Sequence, residues 1–594
     1  MPVIPLRSAD LSSFRILSEG SEVSLASQIE FIDVRHESNR ISTAEFSLID
    51  GDAASQNFAL ASSEELQIGR KISIELGYQT NTDLVFEGIV VSISVKALQG
   101  GSSRTTVLCK HPAFQMTQVI QHRYFQDISL DDLLNQLFAP YDIALSIEIS
   151  SGIGTQLFEQ IIQMHQSDWD FMLALLYQYG LFIAYRDQVL VISDLESAAS
   201  PTNPAASLNP LEANGISFGR DIIDCDVQIS AQHQFENVDV AAWDASSQNL
   251  VNSESSAQSI NILGTSQGDL AQAAGEASQR YVRESQSDGA LLSEVAKGIS
   301  TRHAMQAYQG TLTIQGRQGL IIGEQISLQG LGKTFEGKAF VSGIMHRLVG
   351  GNWTSIVQIG LPKFPIGISG IFHNGMSGAL IDKAGATGLH IAKVVALQDD
   401  PNANERIKVH LVHMHLNQDG IWARLLQQDA GAARGAVFRP SIGDEVIVSF
   451  IHSHIPEPVV LGALHSSANA SPIEASDDNF KRGWTTASGI ELIFDDDSQS
   501  VLIKTPEGKR VELNDDNAEV IIEDETGNMY VMDSSGISLS SDGDISISAS
   551  KDVNINGLNI NLESQTNASF KAGANMTVEG SAITAVKGSL VQIN

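Results

Sequence analysis

The chain has 594 residues, 42% of them hydrophobic, which is enough for three or four domains with real cores. Its formal net charge of −34 argues against a nucleic-acid binder or a protein that sits on an anionic membrane, because both surfaces would repel it. Two cysteines, Cys109 and Cys225, lie in no CxxC pair and do not make a disulfide framework; free buried thiols are expected, with a single bridge as the alternative. The opening "MPVIPLRSADLSSF" has no basic region followed by an apolar core, so no secretory signal peptide is expected. No apolar run approaches the roughly 18 residues that a membrane helix needs.

Taken in chain order, "DLVFEGIVVSISVKA" and "RTTVLCKHPAF" read as barrel strands. "SLDDLLNQLFAPYDI" predicts a helix with Ser129 as N-cap and Leu133, Leu134 and Leu137 on one face. "SDWDFMLALLYQYG" predicts a second helix, capped by Ser167 or Asp168 and ended by Gly180. Its Trp169 reads as a core residue. "LFIAYRDQVLVISD" then reads as a hairpin. The stretch from Ser253 to about residue 305 is Ser/Gln-rich, polar and partly helical. Five strand candidates follow between about 386 and 465, separated by turn signals such as "DDPNANE", "LNQDG" and "RPSIGD". They are "HIAKVVAL", "RIKVHLV", "IWARLLQ", "DEVIVSFI" and "PVVLGAL". Five strands in about 80 residues suit an OB-like barrel. Such barrels often hold single-stranded nucleic acid, but that use needs a basic groove with aromatic platforms, and this segment has neither.

From Glu491 the apolar pairs Leu492/Phe494, Val501/Ile503, Val511/Leu513 and Val520/Ile522 recur at a step near ten. Glu491 to Asp533 carries about 13 acidic residues against 3 basic ones. These acids read as solvated turns, with cation sites as the alternative. The pairs then tighten to a step near eight: Ile537/Leu539, Ile545/Ile547, Val553/Ile555, Ile560/Leu562, Ala568/Phe570, Met576/Val578, Ile583/Ala585 and Val591/Ile593. Each unit is a short strand with one face inward and a polar turn. Eight residues make one side of a prism and one corner. One chain could close a coil from three units, or three chains could each supply one side. Either closure removes the open edges that such a tail would expose.

The barrel segment carries ordered motifs. Pro440, Gly443, Asp444, Glu445 and Val446 form a Pro-x-x-Gly-Asp-Glu-Val element, Pro458 and Gly462 a closing Pro-Val-x-x-Gly, and Trp422 stands in "WAR". With "DDP", "RIKVHL" and the later "GWTTASGIELIFDD", they resemble the OB domain and β-helix entry of VgrG and phage-spike proteins. "QSDWDFMLALLYQYGL" is similar to a hub signature of the same family, and the Ser253 stretch looks like the mobile excursion of such hubs. The resemblance implies a mainly β protein: hub barrel 1 (1–120), an α/β hub subdomain (121–215), hub barrel 2 with a polar excursion (216–375), an OB-fold (383–466), a linker (467–485) and a trimeric triangular β-helix (486–594). It favours the three-chain closure of the tail, with Ile537, Leu539, Ile545, Ile547, Val553, Ile555, Ile560, Leu562, Phe570, Met576 and Val578 in the core.

By resemblance the chain is a structural spike and baseplate hub of a contractile injection system. The hub would adapt a sixfold tail tube to a threefold membrane-piercing needle. An extracellular phage-tail-like particle is the favoured setting, with a type VI secretion VgrG tip or a phage spike as alternatives. The implied partners are two further copies of the chain, inner-tube and baseplate proteins at the hub, and transiently a target envelope. A PAAR-type tip protein would dock on Val591 and Ile593. Assembly in the cytoplasm would precede release in the particle. No cofactor or catalytic residue is expected: no HExxH, GxSxG or phosphate-binding loop stands out, and about 20 residues between OB-fold and β-helix leave no room for the lysozyme domain of some phage spikes. A cell-wall hydrolase spike and a trimeric tail fibre are the rivals from other classes. One constellation stands apart. His413 and His415, and likewise His452 and His454, would share strand faces, and pairing of the two strands would gather four imidazoles, a candidate metal site beside the simpler reading of a polar barrel face.

Overall fold

The computed structural model describes residues 11–23, 29–98, 102–195, 215–256, 262–275, 277–283, 289–361, 388–414, 418–451 and 457–593. The chain divides into two units, Met1–Asn469 and Ala470–Asn594.

A 14-stranded sheet organises the first unit. Its early strands and its late ones are stitched together where Ile29–Glu37 pairs antiparallel with Gly337–Val349, bringing Ile344 opposite His36 and Leu348 opposite Ile32. The two halves keep separate cores. Ile32, Phe46, Ile74, Phe86 and Val107 pack together with Trp353 from the far end of the hub sequence. Phe182, Leu312, Ile326 and Phe340 build the other. Alternation along Arg104–Lys110, with Thr105, Val107 and Cys109 inward, is what a half-buried strand requires. Cys109 is buried and Cys225 half-buried, and both are free thiols. Burial pushes the Cys109 thiol up to about 12.

Between these halves lies a helical subdomain. Leu130–Phe138 is a helix capped by Ser129, whose hydroxyl accepts the Asp132 N–H at 3.1 Å, and Leu133, Leu134 and Leu137 are buried. Asp168–Gln178 is capped by Ser167 in the same way. Trp169 lies in the core, and Gly180 follows with φ +68, a left-handed conformation that glycine adopts at no steric cost. A Cβ on Gly180 would stand 2.7 Å from the Gly298 Cα, so the two glycines let a third helix approach the backbone closely.

That third helix, Gly289–Gln306, bears out the partly helical character expected of the Ser253 stretch. Leu292, Val295, Ala296 and Ile299 recur at helical spacing and join the subdomain core. The face is narrow and flanked by Ser, Lys and Gly, which dilutes the signal in the sequence.

The five strands His390–Ala396, Ile407–Leu411, Ile421–Leu425, Glu445–Ile451 and Glu457–Ala463 form a closed barrel, with Val394, Val409, Val446, Val448 and Val460 inside.

The second unit begins as a seven-stranded antiparallel meander of five-residue strands, from Lys481–Thr485 to Gly536–Ser540. The pairs read from the sequence align in register. Leu492, Ile503, Val511, Ile522, Tyr530 and Leu539 form one row across the sheet, and Phe494, Val501, Leu513, Val520, Met532 and Ile537 the next. Ile537 and Leu539 therefore close the meander instead of opening the narrower repeat. Residues 543–593 contain no strand paired within the chain.

Candidate functional site

Two places in the molecule need explanation: the junction between hub and barrel, and the apolar face of the second unit.

At the junction a two-stranded antiparallel ribbon, Ile120–Ser129 with Leu157–Ser167, is covered by the barrel. Tyr124, Ile162 and Met164 of the ribbon share one apolar cluster with the barrel interior. Polar contacts fix the docking. The Gln418 side chain donates to the Tyr124 carbonyl at 3.2 Å and Gln160 to the Trp422 carbonyl at 3.4 Å. Arg406 donates to Glu159 of the ribbon at 2.6 Å and to Asp400 at 2.6 Å, and Asn402 donates to the other Glu159 oxygen at 2.7 Å. Burial alone would raise the Asp400 carboxyl. The Arg406 guanidinium and the N–H groups of Arg406, Asn402 and Asn404 outweigh it and hold the group at about 2. The "DDPNANER" turn is thus built to present Arg406 to the hub.

The hub answers with its own buried anchor. Asp168 accepts from Tyr141 at 2.8 Å and from Gln163 at 2.8 Å, and pairs with Arg123. It ties the second helix to the ribbon, which gives the "SDWDF" signature a physical reason.

Arg406→Ala leaves the buried Asp400 carboxylate without its main partner, and should cost about 3 kcal/mol. Glu159→Gln should cost under about 1 kcal/mol, because that carboxylate is 37% exposed. Denaturant unfolding of the two variants checks the order; equal losses would mean that Asp400 does not need Arg406.

The barrel motifs have structural duties. Gly443 turns with φ +94, Asp444 accepts the Ser441 N–H at 2.8 Å, and Glu445 opens the next strand. Gly443 N–H also donates to the Val394 carbonyl at 2.9 Å, closing the barrel beside its first strand. Pro440 precedes this turn and is half-buried. Pro458 is buried opposite Phe450, and Gly462 lies opposite Ile447 next to a register shift. Trp422 is buried, with the Lys408 ammonium 5.7 Å from its ring. It is packed, and offers no stacking platform for a base.

The histidines fall differently from the pairing expected. His415, His452 and His454 lie outside the described residues. His413 sits in the turn after Ile407–Leu411, and its ring neighbours are His165 and His122 of the ribbon and His390 of the barrel. Nothing in the sequence marks His165, 248 positions before it, as a companion of His413.

On the second unit, the two apolar rows of the meander are open in the single chain, with Ile503, Leu513 and Ile522 each about half exposed. The residues assigned to a β-helix core are more exposed still. Ile545, Val553, Ile555, Ile560, Phe570 and Met576 are all at least half exposed, and Ile547, Leu562 and Val578 exceed 70%. A single-chain coil would pair its own strands and bury these side chains. Among the described residues the chain does neither. The strands expected from 543 onward are not formed within the single chain.

Residues 8–350 match the family described as the Alg8 N-terminal domain, and residues 390–465 the type VI secretion system/phage-baseplate injector OB domain. The type VI secretion system spike protein VgrG1c of Pseudomonas aeruginosa is 20% identical over 557 residues, covering 84% of this chain and 69% of its own length. VgrG1b of the same organism is 21% identical over 518 residues, covering 77% and 63%, so the chain spans under two thirds of that relative. A chain of the Francisella PdpA–VgrG complex in its half-lidded form superposes with a TM-score of 0.53 at 10% identity, over 90% of this chain and 88% of that one. The lidded form gives 0.52 at 9% identity, over 90% and 80%. Hub sheet, injector OB barrel and repeat-built second unit define a VgrG-like spike protein with a fused tail hub. More narrowly, the chain belongs to the family of the Alg8 N-terminal domain, whose match takes in more than half of it.

Proposed function

We propose that three copies of this chain assemble into the hub and needle of a contractile injection system, in an extracellular phage-tail-like particle. The role of spike and baseplate hub goes with the class. The observation that carries the trimer is the tail, whose apolar pairs have neither intrachain ladder nor cover. Three such chains winding together satisfy each other's backbone and bury each other's pairs. The hub receives the inner tube and baseplate, and contraction drives the needle through an envelope. A closed section leaves no unpaired edge, so it crosses lipid without stranding backbone polar groups. At −34 per chain the assembly stays soluble and does not adhere to anionic surfaces.

The work is mechanical and involves no catalytic step. Buried carboxylates at the junction are tied to arginines rather than poised over a cleft, and the hydrolase reading is not favoured by the relatives. Among the described residues no helix is long and apolar enough to cross a membrane.

Val591 and Ile593 continue the inward-facing pairs. In a trimer they present six aliphatic side chains to a PAAR-type tip protein. Val591→Asp with Ile593→Asp should abolish binding of that protein in a pull-down while light scattering still gives three chains. A monomer in the unmutated protein would overturn the trimer; undiminished tip binding by the double variant would overturn the docking surface alone.

A further inference from the structure

We propose that His165, His390 and His413 form a site for a divalent first-row transition metal that staples the OB barrel to the hub. One ligand atom of each lies within 4.8 Å of the other two. They come from three separate segments. His165 belongs to the hub ribbon, His390 opens the first barrel strand, and His413 lies in the turn after the second. The rings pack at centroid distances of 5.5 to 6.4 Å, and His122 of the facing ribbon strand stands 4.6 Å from His165 and 5.5 Å from His413.

The backbone at His165 points to a purpose. It lies where the ribbon register shifts between Gln163 and Gln166, and its φ is +53. A bulge of this kind re-aims a side chain, and a left-handed backbone costs a non-glycine residue about 1 kcal/mol or more. Flanking Met164 and Gln166 are buried at 2% and 5%, while His165 is turned out of that packing toward the barrel. A glycine would occupy the same backbone without strain.

The donor set selects the ion. Three imidazole nitrogens, with no carboxylate or thiolate in the cluster, suit zinc, cobalt, nickel or copper and offer nothing to calcium or magnesium. Metal–nitrogen bonds of about 2.0–2.1 Å place tetrahedral ligand atoms about 3.3 Å apart. The side chains must therefore close by about 1.5 Å from their widest separation. His165 and His413 are exposed, while His390 is buried in the barrel. Water or His122 completes the shell. Because the ligands are split between hub and barrel, binding couples directly to docking, and the metal's affinity adds to the stability of the junction.

The test uses the full chain, stripped with a chelator and desalted. Zinc should bind with one ion per chain in calorimetry and raise the unfolding temperature, cobalt should give a tetrahedral visible spectrum, and magnesium and calcium should do neither. His165→Gly is the decisive variant. It relieves the left-handed strain, so the metal-free protein should be at least as stable as wild type, yet zinc affinity should fall more than about a hundredfold. His413→Gln, at an exposed turn, should lose binding equally while remaining folded by circular dichroism. Absence of stoichiometric zinc binding by the wild type overturns the site. So does undiminished zinc affinity in folded His165→Gly and His413→Gln proteins.

Discussion

Aspartate at both Ile545 and Ile547 should abolish assembly of the proposed trimer. In the isolated chain this pair is exposed, Ile545 by half and Ile547 by 74%, so a monomeric tail would tolerate the change at almost no cost. In three intertwined chains the same change places six unpaired carboxylates against one another in a narrow core. Burial of each costs several kcal/mol or forces protonation. The neighbour Ser546 lies between them in the two-residue alternation and faces outward, so Ser546→Asp should leave assembly intact. Light scattering separates the outcomes. A double aspartate variant that still forms trimers of unchanged thermal stability would show that the inward register of the whole tail is misplaced.

The contrast between these two substitutions also marks what the sequence can and cannot disclose. Apolar pairs two residues apart and a constant step are local, and the meander from Lys481 to Ser540 follows them strand by strand. The five barrel strands and the Ser129 and Ser167 caps are legible for the same reason: turn chemistry and short-range alternation fix them. Whether the tail closes on itself or on other copies is a question about partners, and the sequence alone left both open. The exposed, unladdered repeat is what the proposed three-chain closure rests on. Other features lie beyond local reading because they depend on distant contacts. Nothing near Phe31 announces that it will face Val349 across the hub sheet. The helix Gly289–Gln306 was legible only as a partly helical stretch, because its apolar face is thin and completed by a glycine contact from elsewhere. The junction was half legible. Arg406 and Trp422 stood in recognisable motifs, but Glu159 and Asp168, which answer from the hub, are single carboxylates in a chain full of them. His165 is visible only through its backbone, which no residue pattern encodes.

The hub should begin to lose stability in mild acid, through its buried histidines. Burial holds His36 and His111 at about 4, His303 at about 4, and His346, fully enclosed and next to His36, at about 3. Each is retained neutral by its surroundings: His36 contacts Ser42 at 2.8 Å and the Val85 carbonyl at 2.8 Å, and His346 contacts Ser355 at 2.9 Å. In the unfolded chain all four titrate near 6.5. Between that value and their folded values the unfolded state binds more protons, so stability falls as the pH drops from about 6.5 towards 4 and 3. A group lowered from 6.5 to about 4 forfeits about 3 kcal/mol once both states are protonated, and four such groups lose more than a typical domain can spare. The depressed Asp400 acts later, since its contribution is present above about 4 and lost as the pH falls towards 2. Two windows are therefore expected, hub first and barrel junction second. Denaturant unfolding at pH 8, 6.5, 5 and 4.5 should show a flat plateau followed by a steep loss. His346→Gln keeps a hydrogen-bonding group beside Ser355 and removes one titrating ring, so its slope between pH 6 and 4.5 should be shallower than that of wild type. Equal hub stability at pH 8 and pH 4.5 would mean that these histidines are protonated as readily inside the fold as outside it, and that the sheet around them is open to water.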